Sequence, residues 1–206
     1  MSGDSAVRLR LATLRSALAG PFDLSLKAGE CLAVTGPSGA GKSLLLRMIA
    51  DLDPSQGDVF LDNTERRTIP ATVWRRRVVY NAAEPGWWHE NVADHFQGAA
   101  LQFARDLAPR LALAPGLLDA PVVQLSTGER QRMALIRALS LASPVLLLDE
   151  ATGALDQEST DLVEMVLRAR LADGVTIIMV THSAQQAARL GDRHLVMQAG
   201  RLLPAA

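Results

Sequence analysis

Residues 36 to 43 read Gly-Pro-Ser-Gly-Ala-Gly-Lys-Ser, and their types and spacing suit the grip on a run of phosphates. Gly36, Gly41, Lys42 and Ser43 fill all four fixed positions of the pattern G-x-x-x-x-G-K-[ST]. Glycines let the backbone turn so that its N–H groups converge on phosphate oxygens, and the helix that follows points its positive end at them. Lys42 would reach the β- and γ-phosphates, and the Ser43 hydroxyl would ligate Mg²⁺. The expected nucleotide contacts are Gly36, Pro37, Ser38, Gly39, Ala40, Gly41, Lys42, Ser43 and Leu44. The alternative is a glycine-rich strand-to-helix turn that binds nothing. Four such positions coincide by chance in roughly one chain in a hundred of this size at average composition.

Two further stretches carry chemistry. The apolar run Val145 to Leu148 ends in Asp149 and Glu150. A buried strand there would deliver Asp149 to its carboxyl end as a holder of Mg²⁺ or of a bound water. Glu150, one residue on, could orient or deprotonate an attacking water. In Leu125-Ser126-Thr127-Gly128-Glu129, Ser126 and Glu129 form an S-x-x-E capping box that opens a helix through Met133, Ile136, Ala138 and Leu139. That accounts for the spacing, yet Ser126 and Gly128 at a helix N-terminus also make an anion site.

Strands alternating with helices must position these groups. Val7 to Leu11 and Phe22 to Leu26 alternate in polarity, and Gly57 to Leu61 adds a strand closed by the Asp62-Asn63 turn, which together suggest a small β-layer. Arg75-Arg76-Arg77 precedes the strand-like Val78-Val79-Tyr80 and reads as a solvated edge. Residues 84–125 change character: after Pro85-Gly86-Trp87-Trp88, apolar residues recur at helical spacing (Val92, Phe96, Leu101, Ala104, Leu107, Leu111), predicting an all-helical lobe. A helix over 157–172, a strand over Val175 to Val180 leading to Thr181-His182-Ser183, and a hairpin around Ala199-Gly200 complete the pattern. Such alternation implies a largely parallel sheet with ligand at the strands' carboxyl ends.

The 206 residues allow one domain with a substantial core, and 49% apolar with 21% charged residues argues against disorder. A net charge of −1 gives no push toward nucleic acid, and the single cysteine, Cys31, excludes an internal disulfide and a cysteine-built zinc site. Two of the 21 basic residues are lysines, Lys27 and Lys42, so one of the two sits in the phosphate loop. The chain shows no signal-peptide core and no apolar run near the roughly 18 residues of a membrane span.

With the signature-like Leu125–Glu129 segment, the chain resembles the ATP-binding cassette (ABC) family, whose signature reads LSGGQ before a basic helix. Asp149-Glu150 looks like the family's Walker B pair, Ala154-Leu155-Asp156 like its D-loop and His182 like its switch histidine. The resemblance implies a single domain over 1–206: a RecA-like P-loop NTPase α/β core with a small antiparallel β-layer (1–83 and 143–206) and an inserted α-helical lobe (84–142) carrying the signature. It implies ATP and Mg²⁺ as ligands, with Lys42, Glu150 and His182 as catalytic residues and Ser43 and Asp149 on the metal. Ser126, Gly128 and Glu129 would act on the nucleotide of a second copy, in a head-to-tail homodimer. The expected partner is a transmembrane permease in a separate chain, with no nucleic acid. The expected location is cytoplasmic, on the inner face of the membrane. The length resembles small stand-alone cassettes, including those linked to metal export.

Three positions depart from the family pattern. Thr127 stands where the signature has glycine, Ala83 where the Y-x-x-Q-x-P stretch has a magnesium-facing glutamine, and residues 8–22 offer no adenine-stacking aromatic before Phe22. A low-turnover nucleotide-dependent regulator and a non-transport ABC ATPase are the alternative functions. Successive residues of an extended segment face opposite ways; Trp88, which leads into the helical pattern of Val92 and Phe96, is expected in the lobe's core, and Trp87 toward the groove for the membrane subunit.

Overall fold

The computed structural model describes residues 7–205. β1 (Val7–Arg15) and β2 (Phe22–Lys27) pair antiparallel, and β3 (Cys31–Thr35) then runs through the phosphate loop into α1 (Lys42–Ile49). β4 (Gln56–Leu61) and β5 (Thr64–Glu65) form a hairpin whose two turn residues, Asp62 and Asn63, have φ of 49° and 63°. Asn and Asp tolerate that left-handed pair, and the resulting turn matches the twist of the strands. After α2 (Ala71–Arg77) come β6 (Val78–Asn81), α3 (Ala99–Leu107) and α4 (Thr127–Leu139). β7 (Val145–Asp149), α5 (Gln157–Ala172), β8 (Thr176–Val180), α6 (Ala184–Leu190), β9 (Arg193–Gln198) and β10 (Arg201–Pro204) follow.

The strands form two sheets: an antiparallel one in the order β2-β1-β4-β5 and a six-stranded one in the order β10-β9-β3-β8-β7-β6. The second is parallel from β9 to β6, with β10 antiparallel at its edge. This is the mixed α/β architecture of a RecA-like P-loop core with its β-layer. β7 and β8 are buried at every residue, as strands covered on both faces must be. Their alternation sorts side chains between two cores. Val145, Leu147, Ile178 and Val180 join Leu45, Leu46, Met48 and Ile49 of α1 and the small sheet. Leu146, Leu148, Ile177 and Met179 meet α4, α5 and the segment around α3.

The segment expected to be all helical is only partly so. Residues 84–98 hold one short 3₁₀ turn, Ala93–His95, and the first α-helix begins at Ala99. Val92 and Phe96 are buried all the same, so a packed turn satisfies the spacing that predicted a helix. Pro85 and Pro109 deny the backbone donors that a continuous helix needs, and Pro109 and Pro115 open further 3₁₀ turns. The three arginines form the last turn of α2, where cations favour the negative end of the helix dipole.

The end of α1 is held by side chains from elsewhere. Its final carbonyls have no partner within the helix; Trp74 Nε1 donates to Ile49 O at 2.9 Å and Arg66 donates to Met48 O. Trp74 is fully buried. We expect Trp74→Ala to cost about 3–5 kcal/mol through the cavity left behind, and Trp74→Phe about 1–3 kcal/mol through the orphaned carbonyl. Denaturant melts of both variants check this, the alanine change being the larger.

Candidate nucleotide site

The phosphate loop leaves β3 at the carboxyl edge of the six-stranded sheet, where a parallel sheet presents ligands. Two of its glycines are required by geometry. Gly36 (φ 136°) lies so close to β9 that a Cβ would sit 2.2 Å from the Met197 carbonyl oxygen. Gly41 (φ 106°) caps the N-terminus of α1 in a conformation that L side chains rarely adopt. The β9–β10 turn closes over the loop, with Gly200 N donating to Ala40 O at 3.0 Å and Gly20 N to Gly200 O at 2.8 Å.

Lys42 is 6% exposed and folds back on the loop, its Nζ donating to Gly36 O at 2.8 Å and Pro37 O at 2.9 Å. That holds an ammonium beside a row of N–H groups. Ser43 is exposed in the first turn of α1. Ser38 to Leu44 and Glu150 line one cavity of about 570 Å³, bounded by Leu18, Ala199 and Gly200. A second cavity of about 610 Å³ shares Leu18 and Leu44 with it and extends over Arg15 to Ala17 and residues 53–56. Phe22 is 2% exposed in the small sheet's core and is withdrawn from both, while Leu18 is 81% exposed between them.

β7 places Asp149 at its carboxyl end, 2% exposed. Its Oδ2 accepts from the Tyr80 hydroxyl at 2.8 Å, and its Oδ1 is buried with no hydrogen-bond partner. Burial, then the bond to Asp149, pushes the Tyr80 phenol well up, so it remains a donor. Glu150 adopts φ 48°, and its Oε1 lies 2.7 Å from His182 Nε2, contributed by the end of β8. Phosphate loop, buried carboxylate, second carboxylate and histidine thus converge from β3, β7 and β8. Tyr80 was visible in the sequence only as a strand residue, because nothing local reveals that β6 lies beside β7.

The signature segment does not line that cavity. Ser126 caps α4: Ser126 N donates to Glu129 Oε2 at 2.8 Å and Glu129 N to Ser126 Oγ at 3.3 Å. The Ser126 hydroxyl and backbone hold Glu129 below the usual carboxylate range, so it stays charged. Gly128 faces the D-loop-like stretch, where a Cβ would meet Leu155 at 3.3 Å and Ala154 O at 3.4 Å. Thr127 is exposed at the first residue of α4. Ala83 has no amide to offer, and Gln131 Nε2 approaches its carbonyl at 3.5 Å.

Comparison with known proteins points to one family. The sequence model of the family described as "ABC transporter" matches residues 20–153. Protein STAR1 of Oryza sativa subsp. japonica is 36% identical over 212 residues, covering 96% of this chain and 61% of its own length. The probable iron export ATP-binding protein FetA of Escherichia coli is 35% identical over 176 residues, covering 80% of this chain and 78% of its own. A solved dimeric cassette in a post-hydrolysis state, bound to ADP and Pi, superposes with a TM-score of 0.84 at 25% identity over 95% of this chain and 98% of that one.

The tryptophan loop corrects one expectation. Trp87 packs against the core and Trp88 is 65% exposed, the reverse of the expected assignment. The backbone here is a tight turn wrapped on His95, which is 7% exposed. His95 Nε2 accepts from Trp88 N at 3.0 Å and His89 N at 3.1 Å, so Nδ1 carries the proton and donates to Asn91 O at 3.0 Å. Arg137 lies over both indoles, its guanidinium 4.6 Å from the Trp87 ring and 4.7 Å from that of Trp88. Burial foremost, then Arg137, lowers the His95 pKa from 6.5, against an opposing pull from the Asn91 carbonyl. The folded state therefore disfavours the proton that the unfolded chain takes up. The linked stability is present above pH about 6.5 and is lost as pH falls below it toward the depressed folded value. Melting temperature should drop between pH 7 and 5, and His95→Asn should flatten that part of the profile, as thermal scans across pH will read.

Proposed function

The chain belongs to the ABC transporter family of ATPase domains, and we propose that it is an ATP-hydrolysing subunit that drives a separate membrane permease by pairing, ATP-bound, with a second copy of itself. The observation that carries this is the convergence of the Lys42 loop, the half-partnered Asp149 and the Glu150–His182 pair on one sheet edge. Among the described residues no helix is long and apolar enough to cross a membrane. The chain would sit on the inner face of the membrane through that partner. The chain spans 61% of the length of STAR1, and what that protein and FetA do is a guide to the class alone.

The residues fit Mg²⁺. Asp149 Oδ1 is buried and unpartnered, and an ion that keeps several waters needs one or two protein oxygens plus phosphates. Ser43 Oγ and Asp149 would hold it, and when bound it neutralises charge on the β- and γ-phosphates. The loop N–H groups and Lys42 bind the phosphates, Lys42 exchanging two loop carbonyls for phosphate oxygens. Glu150 accepts a proton from the attacking water and orients it; His182, bonded to the same carboxylate, holds its direction and faces the γ-phosphate. Ser126, Gly128 and Glu129, remote from the chain's own cavity, contribute to the partner copy's nucleotide through the α4 N-terminus. Most of this catalysis is positioning and electrostatics.

Glu150→Gln should retain ATP binding, abolish phosphate release and accumulate an ATP-bound dimer. Substantial turnover, with no dimer by size exclusion at saturating ATP, would refute both the base and the sandwich. The exposed Trp88, stacked on Arg137, is the permease contact in this reading, because aromatic residues often anchor interfaces. Trp88→Ala should melt within a few degrees of wild type yet leave the membrane fraction when expressed with its native membrane partners; undiminished co-sedimentation would remove that assignment.

A further inference from the structure

Gln131 reaches two segments beside the site, Ala83 after β6 and the turn after β7, and it is 5% exposed. It lies on α4, one turn inside the signature segment. Its Nε2 donates to the Glu150 carbonyl at 3.1 Å and approaches the Ala83 carbonyl at 3.5 Å, while its Oε1 accepts from Ala154 N at 3.1 Å. Both ends of one planar amide are thus spent on residues 150–154, the turn that follows the buried strand β7. The next residue, Arg132, grips the far end of the same segment: its guanidinium donates to Ser159 Oγ at 2.7 Å, and Ser159 N donates to Asp156 Oδ1 at 2.7 Å.

The turn needs holding. Glu150 sits at φ 48°, a left-handed conformation that costs a non-glycine residue of order 1–3 kcal/mol and persists only where the surroundings over-determine it. Its amide is fixed from one side, donating to Val180 O at 3.0 Å. Its carbonyl is fixed by Gly153 N at 2.9 Å and by Gln131. The rotation of that peptide sets where the Glu150 side chain points, and hence its 2.7 Å approach to His182.

We propose that Gln131 is a positioning residue that makes α4 and the Glu150 turn one rigid body, so that the carboxylate is aimed only when α4 is seated. The inference rests on the reading of Glu150 as the group that orients the attacking water. Contacts made by α4, whether to a second copy's nucleotide or through the lobe to a membrane partner, then reach the Glu150 carbonyl through the Gln131 amide. Gln131 touches no phosphate-loop residue, so the binding of ATP is separate from this link.

The test uses full-length Gln131→Glu and Gln131→Met beside wild type and Glu150→Gln, with steady-state phosphate release and ATP binding measured on each. Glutamate keeps the shape and the acceptor for Ala154 N but faces the Glu150 carbonyl with an oxygen; methionine keeps the volume and removes both bonds. Both variants should bind ATP within about threefold of wild type and lose kcat about tenfold or more. Because a protonated glutamic acid can donate to the Glu150 carbonyl, Gln131→Glu should regain activity relative to wild type as pH falls, and Gln131→Met should not. If either folded variant keeps wild-type kcat, or if kcat and ATP affinity fall together with no pH-dependent recovery, the proposal is overturned. Wild-type turnover abolished by Glu150→Gln shows independently that the reading of Glu150 stands, which separates the two failures.

Discussion

Two charged groups kept almost out of water at one sheet edge set the terms for the rest of this fold. Lys42 is 6% exposed and Asp149 2% exposed, and neither could be buried at tolerable cost without partners. The structure meets this by different means. Lys42 is neutralised by carbonyl dipoles of its own loop, a partnership that a stronger anion can replace. Asp149 is satisfied on one oxygen by Tyr80 and left bare on the other. Parallel strands buried on both faces are what make such depth possible. The side chains that close the C-terminal end of α1 keep the loop's helix from tilting out of that arrangement.

Much of this is local and so was legible in the chain. The phosphate loop, the apolar run into Asp149-Glu150 and the Ser126–Glu129 cap each declare themselves within eight residues. Strand alternation and turn residues located the small β-layer and the closing hairpin. The missing parts are contacts between segments far apart in sequence. Tyr80 reads as a strand residue until β6 is known to lie beside β7. Gln131 reads as an exposed helix polar residue until the Glu150 turn is seen under it. The two tryptophans do face opposite ways, but they are assigned the wrong way round because Trp88 reads as leading into a helix at Val92 and Phe96, and the backbone there instead wraps on His95, whose Nε2 accepts from both Trp88 N and His89 N. Val92 and Phe96 carried helical spacing for the same reason: a packed turn can bury residues four apart as well as a helix can.

The departures from the family pattern fall in places the framework tolerates. Thr127 stands where the family has glycine, at the first turn of α4, where it is exposed and its Oγ1 accepts from Arg130 Nη2 at 3.4 Å. Ala83 offers no side-chain donor or acceptor beside the Glu150 turn, and its carbonyl faces Gln131 Nε2 at 3.5 Å. Leu18 stands exposed between two adjoining cavities, in the stretch that holds no aromatic before Phe22. The Glu150–His182 pair is in place beside all three.

The clasp between the phosphate loop and the β9–β10 turn has a consequence in time. β3 launches the loop, yet both of its sheet neighbours, β8 and β9, are made near the far end of the chain. Gly36 is shaped to the Met197 carbonyl, and Ala40 is tied to Gly200. During synthesis the motif most easily recognised in the sequence therefore stays without its frame until the β9–β10 hairpin, more than a hundred residues later, arrives. Early fragments carry the phosphate-binding residues without the neighbours that hold their geometry, which delays nucleotide capture until the core can close around the loop.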